Sequence, residues 1–363
     1  MTINKAVFDR AQQEMKMTIT RRNFNLGSVA ALGALAAPAM ARAEGTTIVV
    51  NGSGGSLETV IRDMFELPFT EQTGIKVRAS APVSLPKLKA MVESGNVEWD
   101  LTELNGDDVV IATKNGWLEE LDYSIIDPEG LLPEMAKEPT ALVRASYSTV
   151  LAYRTDRYEG EQPSSWADFW DVERFPGPRS LENSPKGTLE FALLADGVAP
   201  EDLYPLDVER ALSKLDEIKA HIPVWWSTGA QHVQLLIDGE VNMTSCWNGR
   251  ISPLQTEGKP VAITFNEGAL MLSYMGMPKG APHPKEAMEF LKFRLNPKLA
   301  ADFVKVVPYP GFVPGMFDYL EPDFVETLPT APKNAAAQFK FNSQWWAENL
   351  EEVTERWTEW TLL

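Results

Sequence analysis

The 363-residue chain predicts an α/β fold in two lobes, and three features point there. Short apolar runs alternate with amphipathic helical patterns, the signature of mixed sheets flanked by helices. The chain beyond residue 43 is about 320 residues long, more than one hydrophobic core usually serves. A single cysteine, Cys246, allows no intramolecular disulfide, so the fold must rest on its cores.

Taken in order, the chain opens on an export signal. Arg21-Arg22 precede Phe24, an apolar run covers Leu26 to Met40, and Ala41-Arg42-Ala43 has the A-x-A form of a cleavage site. The run is shorter than the ~20 residues a membrane-spanning helix needs. Residues 1–43 therefore read as a removed twin-arginine signal peptide, with Met17 as an alternative start that would leave 1–16 untranslated. No cysteine follows the cleavage site for lipid attachment, so the expected location is the periplasm, with no membrane anchor.

Strands are expected at 46–51, 74–80, 99–104, 148–154, 240–247 and 261–265, each bounded by Gly or Asp turn signals. Asp207 should cap a helix in which Val208, Ala211, Leu212, Leu215 and Ile218 face inward. Thr228 to Gln231 has the form of a capping box opening a helix that Asp238-Gly239 stops. His283-Pro284 starts another, with Met288 and Leu291 buried. In the last helix Trp346, Leu350, Val353, Trp357 and Trp360 share one side, a core stripe.

Charge excludes several partners. The chain has 33 basic and 51 acidic residues, a net charge of −18; residues 1–43 hold six of the bases and two of the acids, so the remainder carries −22. Nucleic acid and anionic membrane would repel such a body. The three histidines, His221, His232 and His283, have no ligand-like spacing, which argues against a metal site, and no cofactor motif is present. The loop Asn51-Gly52-Ser53-Gly54-Gly55-Ser56 sits between a strand and a helix, where free backbone N–H groups favour an anion. It lacks the third glycine of a dinucleotide fingerprint, the Gly-Lys-Ser/Thr of a P-loop and the G-x-S-x-G spacing of a hydrolase elbow. It reads either as a tight turn or as a ligand-contacting loop. Nothing pairs two carboxylates as acid and base.

The segment 225–250, with its Asp238-Gly239-Glu240-Val241 stop, a strand and then Trp247-Asn248-Gly249-Arg250, resembles the spermidine- and putrescine-binding proteins, periplasmic receptors of ABC importers. Further likeness runs through 69–77, 99–122, 152–158, 163–171 and 275–293, covering nearly the whole chain after residue 43. The resemblance implies a bilobed periplasmic-binding-protein fold of type II-like form, two mixed-sheet lobes joined by crossing hinge strands. Lobe one would span 44–150 plus about 266–315, and lobe two 151–265 plus about 316–363. It also implies a monomer that closes on a small molecule and delivers it to a membrane permease.

The same resemblance places the site. Trp247 and Tyr309 match aromatic contacts of the family. Ser53, Asn105, Asp107, Asn183 and Ser273 fall where polyamine binders place aromatic, hydroxyl or acidic groups, and Tyr274, Asn248 and Trp226 complete the expected ligand-binding set. Glu182 is the only acid near the position of the family's acidic pair. A cleft short of amine-binding carboxylates would suit an amino acid, an opine-like conjugate or γ-aminobutyrate better than a polyamine. Arg250 would pair with a ligand anion or sit exposed in a helix turn. The rival from another class is a secreted enzyme on the same fold, which would need a nucleophile–base pair in the cleft.

Overall fold

Two strands much longer than the runs read from the sequence organise the structure. A computed structural model describes residues 45–362, so the signal segment and its cleavage site lie outside the described residues. In chain order the first lobe contains β1 (Thr47–Asn51), helix α1 (Ser56–Ile61), β2 (Lys76–Ser80), α2 (Leu85–Ser94), β3 (Leu101–Asn105) and α3 (Gly106–Lys114). The short β4 (Lys137–Glu138) leads into β5 (Ala141–Arg154), which carries the chain across. The second lobe contains β6 (Arg179–Glu182), α4 (Pro185–Ala195), α5 (Val208–Ile218), β7 (Val224–Trp226), α6 (Gln231–Ile237), β8 (Met243–Trp247) and α7 (Asn248–Thr256). The return strand β9 (Val261–Gly276) is followed by α8 (Pro284–Arg294), α9 (Pro297–Val306), β10 (Phe339–Lys340) and the terminal α10 (Ser343–Leu362).

The strand order is β2-β1-β3-β9-β5-β8-β6-β7, with β4 and β10 as side additions. In the first lobe β1, β2 and β3 are parallel, and in the second β6, β7 and β8 are parallel. The antiparallel pair β5/β9 runs between the two sets from Ala141↔Gly276 to Arg154↔Val261. The pairing breaks where the partner of Thr149 is Ala269 but that of Leu151 is Thr264, so residues 265–268 bulge out of the ladder. Glu267 adopts φ 58° there, an uncommon conformation for a residue with a side chain. It is held by Trp166, whose backbone N–H donates to the Glu267 carboxylate (2.9 Å) and whose indole donates to the Glu267 carbonyl (2.9 Å).

Each lobe has its own core. Ile48, Phe69, Leu88, Trp99, Leu101 and Phe290 centre the first, and Leu320 and Leu328 belong to it, so the chain stays with this lobe well past residue 315. Trp166, Phe169, Phe191, Leu215 and Trp346 centre the second, with a smaller cluster of Val150, Trp226, Cys246 and Ile251 behind β8. The expected helix faces are present: Asp207 accepts from Arg210 N–H, and Val208, Ala211, Leu215 and Ile218 are buried. Trp346, Val353, Trp357 and Trp360 form the buried stripe of α10. The capping box expected at Thr228 is displaced. Gln231 reaches back to Ser227 N–H (2.9 Å), because Thr228 to Ala230 form a turn that presses Gly229 against Trp247.

A buried carboxylate fixes the start of α4. Lys186 (ψ 125°) and Gly187 (φ 80°) are non-helical, a step that glycine makes without strain. Glu190, fully buried, accepts from Gly187 N–H (2.9 Å), the Tyr204 hydroxyl (2.6 Å) and the Trp346 indole (2.7 Å). Glu190→Ala strands three buried donors and is expected to cost about 2–4 kcal/mol, with Glu190→Gln milder. Urea unfolding measures both, and a loss below about 1 kcal/mol for the alanine variant would contradict this role.

Candidate ligand-binding cleft

Small ligands of open α/β sheets bind beyond the carboxyl ends of parallel strands. Here both parallel sets end at one cleft: β1 and β3 deliver the 52–55 loop and the Asn105–Asp107 turn, while β6 and β8 deliver Glu182–Lys186 and Trp247–Arg250. Lys186 of the second lobe is ion-paired with Asp107 of the first, which places the two sets opposite each other.

On the first-lobe side the charges are already matched. The anion that the Gly-rich loop favours is the protein's own Glu103: Ser53 donates to it through its backbone N–H (3.2 Å) and its hydroxyl (2.8 Å). Arg144 pairs with the other Glu103 oxygen (2.6 Å) and donates to the Ser273 hydroxyl (3.1 Å), which in turn donates to Glu103 (3.1 Å). Burial opposes ionisation of Glu103, but Arg144 and the bonds from Ser53 and Ser273 outweigh it and hold the carboxyl below its ordinary pKa. Gly54 and Gly55, at φ 75° and 71°, make the turn that aims Ser53 inward. Asn105 caps α3 together with Asp108, whose pKa is raised to about 6 by burial and by neighbouring Asp107.

The second-lobe side is not matched in this way. Glu182 stands at the end of β6, its pKa raised to about 7 by burial, with Lys186 pulling the other way. Arg250 is exposed in the first turn of α7, beside the Tyr309 hydroxyl and near His232. Among the described residues neither Glu182 nor Arg250 makes an ion pair. Between them lies an aromatic wall. Tyr147 and Tyr309 have ring centroids 5.9 Å apart, and Tyr147, its hydroxyl pKa raised by burial, is close enough to Glu182, Glu103 and Asp107 to feel their charges. Trp247 is half-buried, edge-on to Trp226 (5.7 Å, 89°). Asn183 and Lys186 also line a groove of about 500 Å³ along Trp357 and Thr358 of α10.

Three expected contacts are instead structural. Trp226 is fully buried and donates its indole N–H to Ser245 (3.1 Å); Trp225 points the other way, against Trp357 and Trp360, since adjacent residues on a strand face opposite sides. Asn248 is fully buried, accepts from Ser148 N–H (2.9 Å) and donates to Pro308 (3.4 Å), so it fixes the Tyr309 segment without facing the cleft. Tyr274 follows Ser273 on β9 and so turns into the first-lobe core. Ser53, Ser273 and Asp107 are at the cleft but already bonded, Asn183 accepts from the Trp357 indole (3.4 Å), and Trp247 and Tyr309 remain as aromatic walls. Of the acids at the cleft, Glu103 pairs with Arg144 and Asp107 with Lys186, while Glu182 has no ion-pair partner among the described residues. Arg144 and Glu103 had a signal in the sequence, each a charge inside a strand and away from its ends. Tyr147 had none, because an aromatic in such a strand reads as core.

Gly249 is closely packed. A Cβ there would stand 2.5 Å from the Tyr309 ring, while the backbone conformation itself admits alanine. Gly249→Ala is expected to displace Tyr309 and weaken ligand binding about tenfold or more, with the unliganded melting temperature nearly unchanged. Titration calorimetry and thermal unfolding separate the two effects; a large loss of unliganded stability would assign Tyr309 to the core instead.

Comparison with known proteins agrees with this geometry. Residues 67–333 match the family described as bacterial extracellular solute-binding protein. The chain is 35% identical over 333 residues to the gamma-aminobutyric acid-binding protein of Pseudomonas aeruginosa, covering 90% of this chain and 94% of that one. It is similar to a crystal structure of an ABC transporter substrate-binding protein from Bradyrhizobium japonicum (38% identity, TM-score 0.82, 87% of this chain and 99% of that one). It is also similar to a solved GABA receptor (33% identity, TM-score 0.81, 87% and 97%). A bilobed α/β chain whose parallel strands end at one shared cleft, matched over most of its length, belongs to the bacterial extracellular solute-binding proteins.

Proposed function

We propose that the protein is a periplasmic receptor, exported by the twin-arginine route, that closes on a small zwitterion such as γ-aminobutyrate and presents it to an ABC importer permease. The observation that carries this reading is the pair of unmatched, opposite charges on one side of the cleft: Glu182 for an ammonium and Arg250 for a carboxylate. Tyr147, Tyr309 and Trp247 flank the space between them and suit a short methylene chain. Glu182 is partly buried, and a charge out of water is costly unless paired, so a ligand ammonium beside it completes the site, with the exposed Arg250 at the rim for the carboxylate. The relatives that bind γ-aminobutyrate support the same class of ligand.

A panel of γ-aminobutyrate, α-amino acids, opines, putrescine and spermidine tests the reading by thermal shift and calorimetry. A ligand at 100 times its dissociation constant adds about 2.7 kcal/mol and moves the melting temperature by several degrees. Recovery of the ligand unchanged after incubation separates a receptor from an enzyme. If only polyamines shift the unfolding, the zwitterion assignment is wrong.

Arg250→Gln and Glu182→Gln should each weaken γ-aminobutyrate binding about 10- to 100-fold, the value of one charge-assisted hydrogen bond.

The pH dependence follows from Glu182. A proton on its carboxyl competes with the ligand ammonium, so affinity should be full above about pH 7 and fall below it. In the unliganded protein the sign is opposite: the raised pKa contributes stability that is present in acid and lost as pH rises through about 7. Flat affinity between pH 5.5 and 8.5 would remove Glu182 from the site.

A further inference from the structure

We infer that Lys186 is a built-in ammonium that occupies a second amine-binding place at Asp107, and so restricts the cleft to ligands with a single amine. This rests on the assignment of Glu182 as the ammonium partner of the ligand. Asp107 is 2% exposed at the first turn of α3, and the one cation paired with it among the described residues is Lys186, which arrives from the opposite lobe. A carboxylate this buried needs a positive partner, and any ammonium of suitable reach would satisfy it.

The lysine is held in place by its surroundings. Its own backbone N–H donates to Ser184 Oγ (3.3 Å), and the following Gly187 is pinned at φ 80° by the buried Glu190 carboxylate. The ammonium is therefore presented to Asp107 at little conformational cost when the lobes approach. Lys186 is also close enough to Glu182 to lower its pKa, so its charge acts on both acids. With Lys186 present, Glu103 and Asp107 are neutralised from within, Asp108 is bonded to Asn105 at the start of α3, and Glu182 is left for a cation. A diamine would bring two ammonium groups to one vacant acid and be repelled by the lysine. Without Lys186, Asp107 and Glu182 would form an acidic pair suited to a diamine, a specificity set by repulsion as much as attraction.

The experiment compares wild type, Lys186→Met, Lys186→Arg and the double variant Lys186→Met/Asp107→Asn against putrescine and γ-aminobutyrate by titration calorimetry, with unliganded melting temperatures as the folding control. Lys186→Met is expected to bind putrescine at least about tenfold more tightly than wild type, Lys186→Arg to bind it no better than wild type, and the double variant to lose the gain. If Lys186→Met does not fold, Asp107→Asn alone serves: it frees the ammonium, and a dicarboxylate amino acid such as glutamate should gain about tenfold over wild type. A folded Lys186→Met that gains nothing for putrescine overturns the proposal, as does a wild type that already binds putrescine as tightly, and so does a folded Asp107→Asn that gains nothing for glutamate. The zwitterion reading fails separately, if wild type ignores γ-aminobutyrate while Lys186→Met still acquires putrescine.

Discussion

The pairing of β5 with β9 is the constraint on which the rest of the structure depends. Each strand belongs to both lobes, so the two cores are tied by backbone hydrogen bonds and not by a flexible linker. Antiparallel strands cannot slip by one residue without turning every side chain to the wrong face, so this ladder also sets the register of the site. With an extra residue at Arg144, where Val143 pairs with Tyr274 and Ala145 with Ser273, it places Arg144, Ser273 and Tyr147 on the cleft while Val143 and Tyr274 fill the first-lobe core. The bulge at 265–268, with Glu267 in a rarely populated conformation, interrupts the ladder between the lobes and leaves fewer bonds to distort there during closure.

Desolvated charge is the second organising quantity. The protein is strongly acidic overall, yet its cleft is close to balanced: Glu103 faces Arg144, Asp107 faces Lys186, and Glu182 and Arg250 stand at separate ends of an aromatic wall. The surface acidity acts on solubility and on which macromolecules are repelled, whereas the selectivity of the cleft depends on a few groups whose partners are fixed. A receptor of this kind needs no reacting group. In the proposed function its ligand supplies the charges the cleft lacks, and closure would follow from pairing them out of water.

Local pattern made much of the fold legible. Alternation of apolar residues locates β1, β2, β3 and β8, and the spacing of Val208, Ala211, Leu215 and Ile218 gives the buried face of α5. The spans of β5 and β9 are longer than the apolar runs, because their outer halves contain Arg144, Ser146 and Ser273, polar residues that break the run while keeping specific partners. The terminal tryptophan stripe was readable for a related reason: helical spacing requires only one element. Asn248 and Trp226 are buried where the motif suggested cleft contacts, because motif position says which residues lie near a site, not which side of the backbone they take.

What the sequence by itself determined was the class of molecule: two α/β lobes, no disulfide, an acidic body and the motif order of a solute receptor. Tertiary structure decided which charges of the cleft remain for a ligand. Glu103 meets Arg144 across 41 residues and Ser273 across 170, and Asp107 meets Lys186 across 79. Neutralisation depends on distance through space and on exclusion of water, neither of which a linear pattern of acids and bases records.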